Sequence, residues 1–237
     1  MNNTNQQLYA IYKNIQVLYR YRRLVSLDDE YSQEQFIKAI QKDKYILLSA
    51  ANVSDVINAS EEVDNNKVAQ LKKSIETYNE KSKSTTTTIT NILLIYPGTE
   101  CENKRANMIK MINHIRYPLS NVLLITPTKV SPGVLKGLNS LSNRSEHQGH
   151  TFKTFTYQLL SSVLPEYELV PKYEILTSEQ IADLKKWFID PNMLPKVFEH
   201  DPQMVWIGAK IGDVIKFTTV SEVTIQTIGY CIVIPSV

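Results

Sequence analysis

Glu102-x-Lys104 stands directly after an apolar run, where a carboxylate and an amine could hold a metal and polarise a water. That chemistry needs a second carboxylate at the end of a neighbouring strand, and Pro97-Gly98-Thr99 fills the turn instead. The pair therefore reads as surface charge. His147 and His150, three residues apart in a polar stretch, would place two imidazoles on one ion, but no third or fourth ligand is near in sequence. Cys101 and Cys231 have no histidine at ligand spacing, and two cysteines build neither a four-thiolate site nor a disulfide framework. They read as reduced thiols. No G-x-S-x-G, Walker loop or H-E-x-x-H is present. The residues thus nominate no catalytic group, no metal ligand and no cofactor.

Ser131-Pro132-Gly133 offers something else. Serine followed by proline is a helix start, with the proline at the first helical position. The free N–H groups of such an end attract phosphate, and Lys129 and Lys136 flank it. The bland reading is an ordinary capped helix.

The elements that must hold these residues follow from periodicity. Leu8, Ile11, Tyr12, Ile15, Leu18 and Tyr19 make one helical stripe. Ser32-Gln33-Glu34-Gln35 is a capping box that opens a second helix carrying Phe36, Ile37 and Ile40. Residues 45–51 read as a strand. Residues 89–96 and 121–126 are apolar runs, with a helical pattern between them at Ala106, Ile109, Ile112 and Arg116. Strand, helix and strand in that order form a parallel crossover. The apolar residues of both runs do not alternate with polar ones, so both strands are expected to be buried on two faces. Residues 54–88 change character and end in a Ser/Thr run, which reads as an insertion with one helical stripe at Val68, Leu71, Ile75 and Tyr78, and residues 60–88 are expected to tolerate shortening. Phe152 to Tyr157 suggests a further strand, and Leu159 to Leu164 a short element.

From Pro165 the pattern shifts. Thr177-Ser178-Glu179-Gln180 is a second capping box, for a helix with Ile181, Leu184 and Phe188 facing inward. Residues 204–207, 213–219 and 224–234 read as strands. Four adjacent apolar residues, Met204 to Ile207, cannot all face the core from a strand, so some are expected to face a partner.

Charge divides the chain too. Residues 1–164 carry 20 Lys+Arg against 14 Asp+Glu, and residues 165–237 carry 6 against 10. The front half suits a polyanion and the back half does not. No run of eighteen apolar residues predicts a membrane span, and the polar amino terminus is unlike a signal peptide.

The back half also carries ordered motifs: Leu169-Val170-Pro171, Leu194-Pro195-Lys196, Asp201-Pro202, Gly208-x-Lys210-x-Gly212 and Ser221-Glu222. Their order and spacing resemble the fifth subunit shared by the eukaryotic nuclear RNA polymerases, and its shorter archaeal counterpart. The front half resembles the eukaryotic form more loosely, with Ser131-Pro132-Gly133-Val134 in the place of that family's T-P-S-A loop. Departures are clear. Ile211 replaces a basic residue, Thr219 replaces an arginine, Val223 replaces a threonine, and Tyr167 and Tyr173 replace two histidines. Met204-Val205-Trp206 also departs from the cellular pattern. Such divergence is similar to the copies carried by nucleocytoplasmic large DNA viruses.

The resemblance implies an α+β protein: a jaw domain at residues 1–164 with a strand–helix–strand unit, and an assembly domain at 165–237. It implies a non-catalytic subunit of a DNA-directed RNA polymerase, with no cofactor and no membrane association. The partners would be the largest subunit, other polymerase subunits and downstream duplex DNA. Lys129, Ser131, Pro132, Gly133 and Lys136 are the expected DNA contacts. Asp201, Pro202, Trp206, Gly208, Lys210, Gly212, Ser221 and Glu222 are the expected subunit interface. A viral chain would work in virions and host cytoplasm, a cellular one in the nucleus. The competing expectation is a stand-alone DNA-binding or nuclease-like protein built on the strand–helix–strand half.

Overall fold

A computed structural model describes residues 3–56, 66–70, 89–97, 121–142, 151–187, 190–220 and 226–235. The protein is α+β and divides into two compact units, Met1–Ser161 and Ser162–Val237.

In the first unit the aromatic and aliphatic stripe forms α1, Asn3–Tyr21. Leu8, Ile11, Tyr12 and Ile15 are fully buried there. A three-residue strand, β1 (Leu24–Ser26), follows. The capping box then opens α2 (Gln33–Asp43): the Ser32 hydroxyl accepts from the Gln35 amide, and the Gln35 side chain accepts from the Ser32 amide. Next come β2 (Tyr45–Asn52), the single turn α3 (Val53–Val56), β3 (Ile89–Ile95), β4 (Asn121–Thr126), α4 (Pro132–Ser142), β5 (Thr151–Thr156) and α5 (Tyr157–Leu160).

The strands form one sheet in the order β1-β2-β3-β4-β5. β2 is antiparallel to both β1 and β3, and β3, β4 and β5 run parallel. Every residue of β3 is buried, which explains its unbroken apolar run. One face of β3 and β4 packs Leu93, Ile95, Val122 and Leu124 against Val134 and Leu138 of α4. On the α1–α2 side, Tyr12 and Phe36 pack with ring centres 5.0 Å apart. The Tyr157 hydroxyl donates to the carbonyl of Ile95, which ties α5 to the end of β3.

Part of the expected insertion is structured. Residues 66–70 are helical. Val68 packs on Leu27, Ala51 and Ile89, so this part closes one end of the core. Ser82 to Thr88, and the helix expected over 106–116, lie outside the described residues.

The second unit contains β6 (Lys172–Ile175), α6 (Ser178–Lys186), β7 (Lys196–Phe198), α7 (Pro202–Ile207), β8 (Val214–Thr219) and β9 (Thr227–Ile234). Its sheet order is β6-β8-β9-β7, with β7 parallel to β9 and the other pairs antiparallel. α6 starts at the Thr177 capping box. Its Ile181 and Leu184 cover Leu176, Val214 and Tyr230 on one face. Met204 and Ala209 cover Ile215, Cys231 and Val233 on the other. A sheet with a helix on each face buries a core in a small unit. The Phe217 ring lies across Gly229 of the neighbouring strand, over the place a Cβ would occupy, so a side chain there would force the ring to move.

The strand expected at 204–207 is a helix. Asp201 caps it by accepting from the Gln203 amide at 2.9 Å, Pro202 occupies the first turn, and Gly208 ends it at φ 74°. Aspartate, proline and glycine at those places are helix boundary signals. Met204–Ile207 mimics a strand because a helix of six residues shows less than two turns of periodicity. Phe188 of the expected α6 stripe lies outside the described residues.

Candidate functional site

β4 ends at Thr126, whose buried hydroxyl donates to the carbonyl of Thr128 at 2.7 Å. That bond closes the Thr126-Pro127-Thr128 turn and sends the chain outward. Lys129, Ser131, Pro132, Gly133 and Lys136 are all exposed. α4 begins at Pro132, and the Ser131 carbonyl accepts from Val134 at 3.0 Å. The five residues named from sequence for a phosphate contact therefore stand together, at the carboxyl ends of parallel strands. Val134 and Leu138 anchor the helix beneath them. The arrangement can supply amide donors and two ammonium groups to a polyanion.

In the second unit, Gly208 to Gly212 form a tight loop between α7 and β8. Gly208 and Gly212 have φ of 74° and 91°, a region that side chains disfavour, which accounts for both glycines of Gly208-x-Lys210-x-Gly212. The Asp213 carboxylate accepts from the Lys210 amide at 2.7 Å, and the Gly212 amide donates to the Val233 carbonyl. Lys210 and Ile211 are thereby held outward and exposed. Asp201 and Pro202 lie at the opposite end of α7.

The second unit also matches known proteins. Residues 163–233 match the family model for the C-terminal domain of RNA polymerase Rpb5. DNA-directed RNA polymerase subunit Rpo5 of Methanosarcina barkeri is 39% identical over 72 residues, which is 30% of this chain and 92% of that protein. The same subunit of Sulfolobus acidocaldarius is 43% identical over 72 residues, covering 30% of this chain and 86% of that protein. That of Methanocaldococcus jannaschii is 40% identical over 70 residues, covering 29% and 90%.

The chain belongs to the Rpb5/Rpo5 family.

The family segment is the second unit, and these three relatives are archaeal. Within it the structure corrects one expected interface residue. Trp206 is fully buried in α7, with Met204 beside it, so it supports the fold and faces no partner. A helix turns consecutive residues to different sides, and Met204, Val205 and Trp206 are all buried, so α7 is covered on more than one side. Ser221 and Glu222 lie outside the described residues, as do Val223, His147, His150, Glu102 and Lys104. Among the described residues no group of three or more His, Cys, Asp or Glu could hold a metal ion. No described helix is long and apolar enough to cross a membrane.

Sequence reasoning missed the apolar surface of the Rpb5-family unit. Leu169 is 94% exposed, Met193 85% and Trp187 80%, and Tyr167, Ile175, Phe198, Ile211, Val220 and Ile228 are exposed as well. In the first unit Tyr21 alone among the described large apolar residues reaches that class. Trp187 follows Lys185 and Lys186 and caps the carboxyl end of α6.

Electrostatics argue against nucleophilic chemistry here. Burial raises the Cys231 thiol, and Asp201 adds to the effect, so the thiolate is scarce at neutral pH. Burial likewise raises Tyr173, with Asp201 and Cys231 contributing. This tyrosine stands where the family resemblance places histidine, and it is neutral across the physiological range. In the first unit burial lowers the Arg22 guanidinium to about 10, which still leaves it charged at neutral pH.

Proposed function

We propose that this chain is a non-catalytic subunit of a multisubunit DNA-directed RNA polymerase. Its second unit anchors on the largest subunit, and its first unit supports downstream duplex DNA. The observation that carries this reading is the second unit itself. It matches polymerase subunits over nearly their whole length, and it leaves large apolar side chains such as Leu169, Trp187 and Met193 in solvent. A unit this small does not expose such side chains without a surface to cover them. The Gly208–Gly212 loop, with Lys210 and Ile211 held outward, and the Asp201-Pro202 turn are the other elements of the unit we assign to the partner surface.

The first unit holds the DNA through the Lys129–Lys136 loop. Contacts made by amides and lysines carry no sequence information, which suits an enzyme that transcribes any template. Substituting Lys129→Glu and Lys136→Glu together is expected to shorten elongation-complex lifetime and to flatten its salt dependence. The slope should fall by about one unit for each phosphate that is no longer neutralised. Lifetimes measured at several salt concentrations check this, and an unchanged slope would remove DNA from the role of this loop.

Departures from the cellular motif, such as Ile211, Thr219 and Tyr173, support placing the chain among the copies carried by nucleocytoplasmic large DNA viruses. Its place of action is then the virion and the host cytoplasm. Mass spectrometry of purified particles tests this, and recovery of the chain only from nuclei would assign it to a cellular polymerase.

A further inference from the structure

The sheet of the first unit brings a second group of charges to the edge that carries the Lys129 loop. β2 runs antiparallel to β3, with Tyr45 opposite Ile95, so β2 begins where β3 ends. The Tyr96 amide donates to the Lys44 carbonyl at 2.9 Å and extends that pairing. β4 runs parallel to β3 on its other side, with Leu94 opposite Ile125, so it ends at the same edge. Lys44, just before β2, therefore shares one end of the sheet with Lys129, just after β4, with Lys42 in the last turn of α2 and Lys136 in the second turn of α4. All four are exposed, as is Asp43 beside Lys42 and Lys44. Strands are about 4.8 Å apart, so the ends of β2 and β4 stand about 10 Å apart. Lysines flanking the two ends are close enough to meet phosphates of one duplex.

Lys44 is unusual in its backbone. It ends α2 in the left-handed region at φ 64°, with its amide bonded to the Ile40 carbonyl at 3.0 Å. Glycine or asparagine fills that position at lower cost. Its ammonium is held 5.5 Å from the centre of the Tyr96 ring. The fold thus tolerates a disfavoured backbone at a residue whose charge is exposed and held over an aromatic face, a combination that marks use over stability.

We propose that Lys44, held over Tyr96, is a second phosphate-backbone contact for duplex DNA, at the same end of the sheet as the Lys129–Lys136 loop. The proposal rests on the reading of the first unit as a DNA support. It makes this end of the sheet a phosphate-binding surface, independent of base sequence.

The test uses the full chain and a short labelled duplex, titrated by fluorescence anisotropy at several salt concentrations, with thermal melting of each variant. Lys44→Asn and Lys44→Gly remove the charge and suit the left-handed backbone, so both should melt no lower than the unmodified chain. Both should lose about eightfold in affinity at about 0.1 M salt, with a slope about 0.9 unit shallower, the value for one phosphate. Lys44→Arg should retain both. Unchanged affinity and slope in the two neutral variants overturn the proposal. If the Lys129→Glu/Lys136→Glu chain still weakens, the DNA reading of the first unit stands and only the Lys44 site falls. If that chain is also unchanged, both fall.

Discussion

Replacing Trp206 with alanine is expected to unfold the second unit while leaving the first folded. Trp206 is fully buried in α7, the helix that lies on one face of the β6-β8-β9-β7 sheet. Truncating a buried tryptophan to alanine costs about 3–5 kcal/mol, because the removed surface and the cavity both count. Units below roughly 70–80 residues hold only about 3–5 kcal/mol in a single core. The substitution therefore consumes nearly all of the stability. Hydrogen exchange in the full chain reads this directly: protection should be lost at β8 and β9 and retained at β3 and β4. A normal exchange pattern together with failed assembly would instead return Trp206 to the interface.

Trp187→Ser should do the opposite. The side chain is 80% exposed, so its loss changes folding stability by no more than about 0.5 kcal/mol. Tryptophan is among the residues that most often dominate an interface, at about 2 kcal/mol or more. In competition with the unmodified chain, incorporation into polymerase should fall about 30-fold or more. Equal incorporation would show that the partner surface lies away from the end of α6, around Leu169 and Ile211.

These two tryptophans show where the sequence was readable. Capping boxes at Ser32 and Thr177, and the stripe of α1, specify helices through local side-chain bonds and several turns of repeat, and they form as expected. The double-sided burial of β3 follows from an apolar run that never alternates. Short elements failed. β1 and β7 have three residues each, too few for a period, and they exist because longer neighbours pair with them. α7 failed for a related reason, since its boundary residues Asp201, Pro202 and Gly208 serve plain turns equally well. At the candidate site, the helix start at Pro132 was legible because Ser-Pro-Gly is a local signal. The exposure of Trp187 and Met193 was not, because burial depends on which elements pack over a residue. Part of the apparent insertion also proved structural: Val68, the first residue of its helical stripe, packs on the core, which a polar segment gives no means of foreseeing.

The central claim is that this chain works inside a polymerase and is anchored there by its second unit. The most direct measurement is purification of the tagged full chain from its native source, followed by mass spectrometry of what co-elutes. The account predicts the two largest polymerase subunits in stoichiometric amounts with the unmodified chain, and their loss with Trp187→Ser. Elution of the unmodified chain alone, or magnesium-dependent cleavage of DNA by the isolated chain, would contradict it.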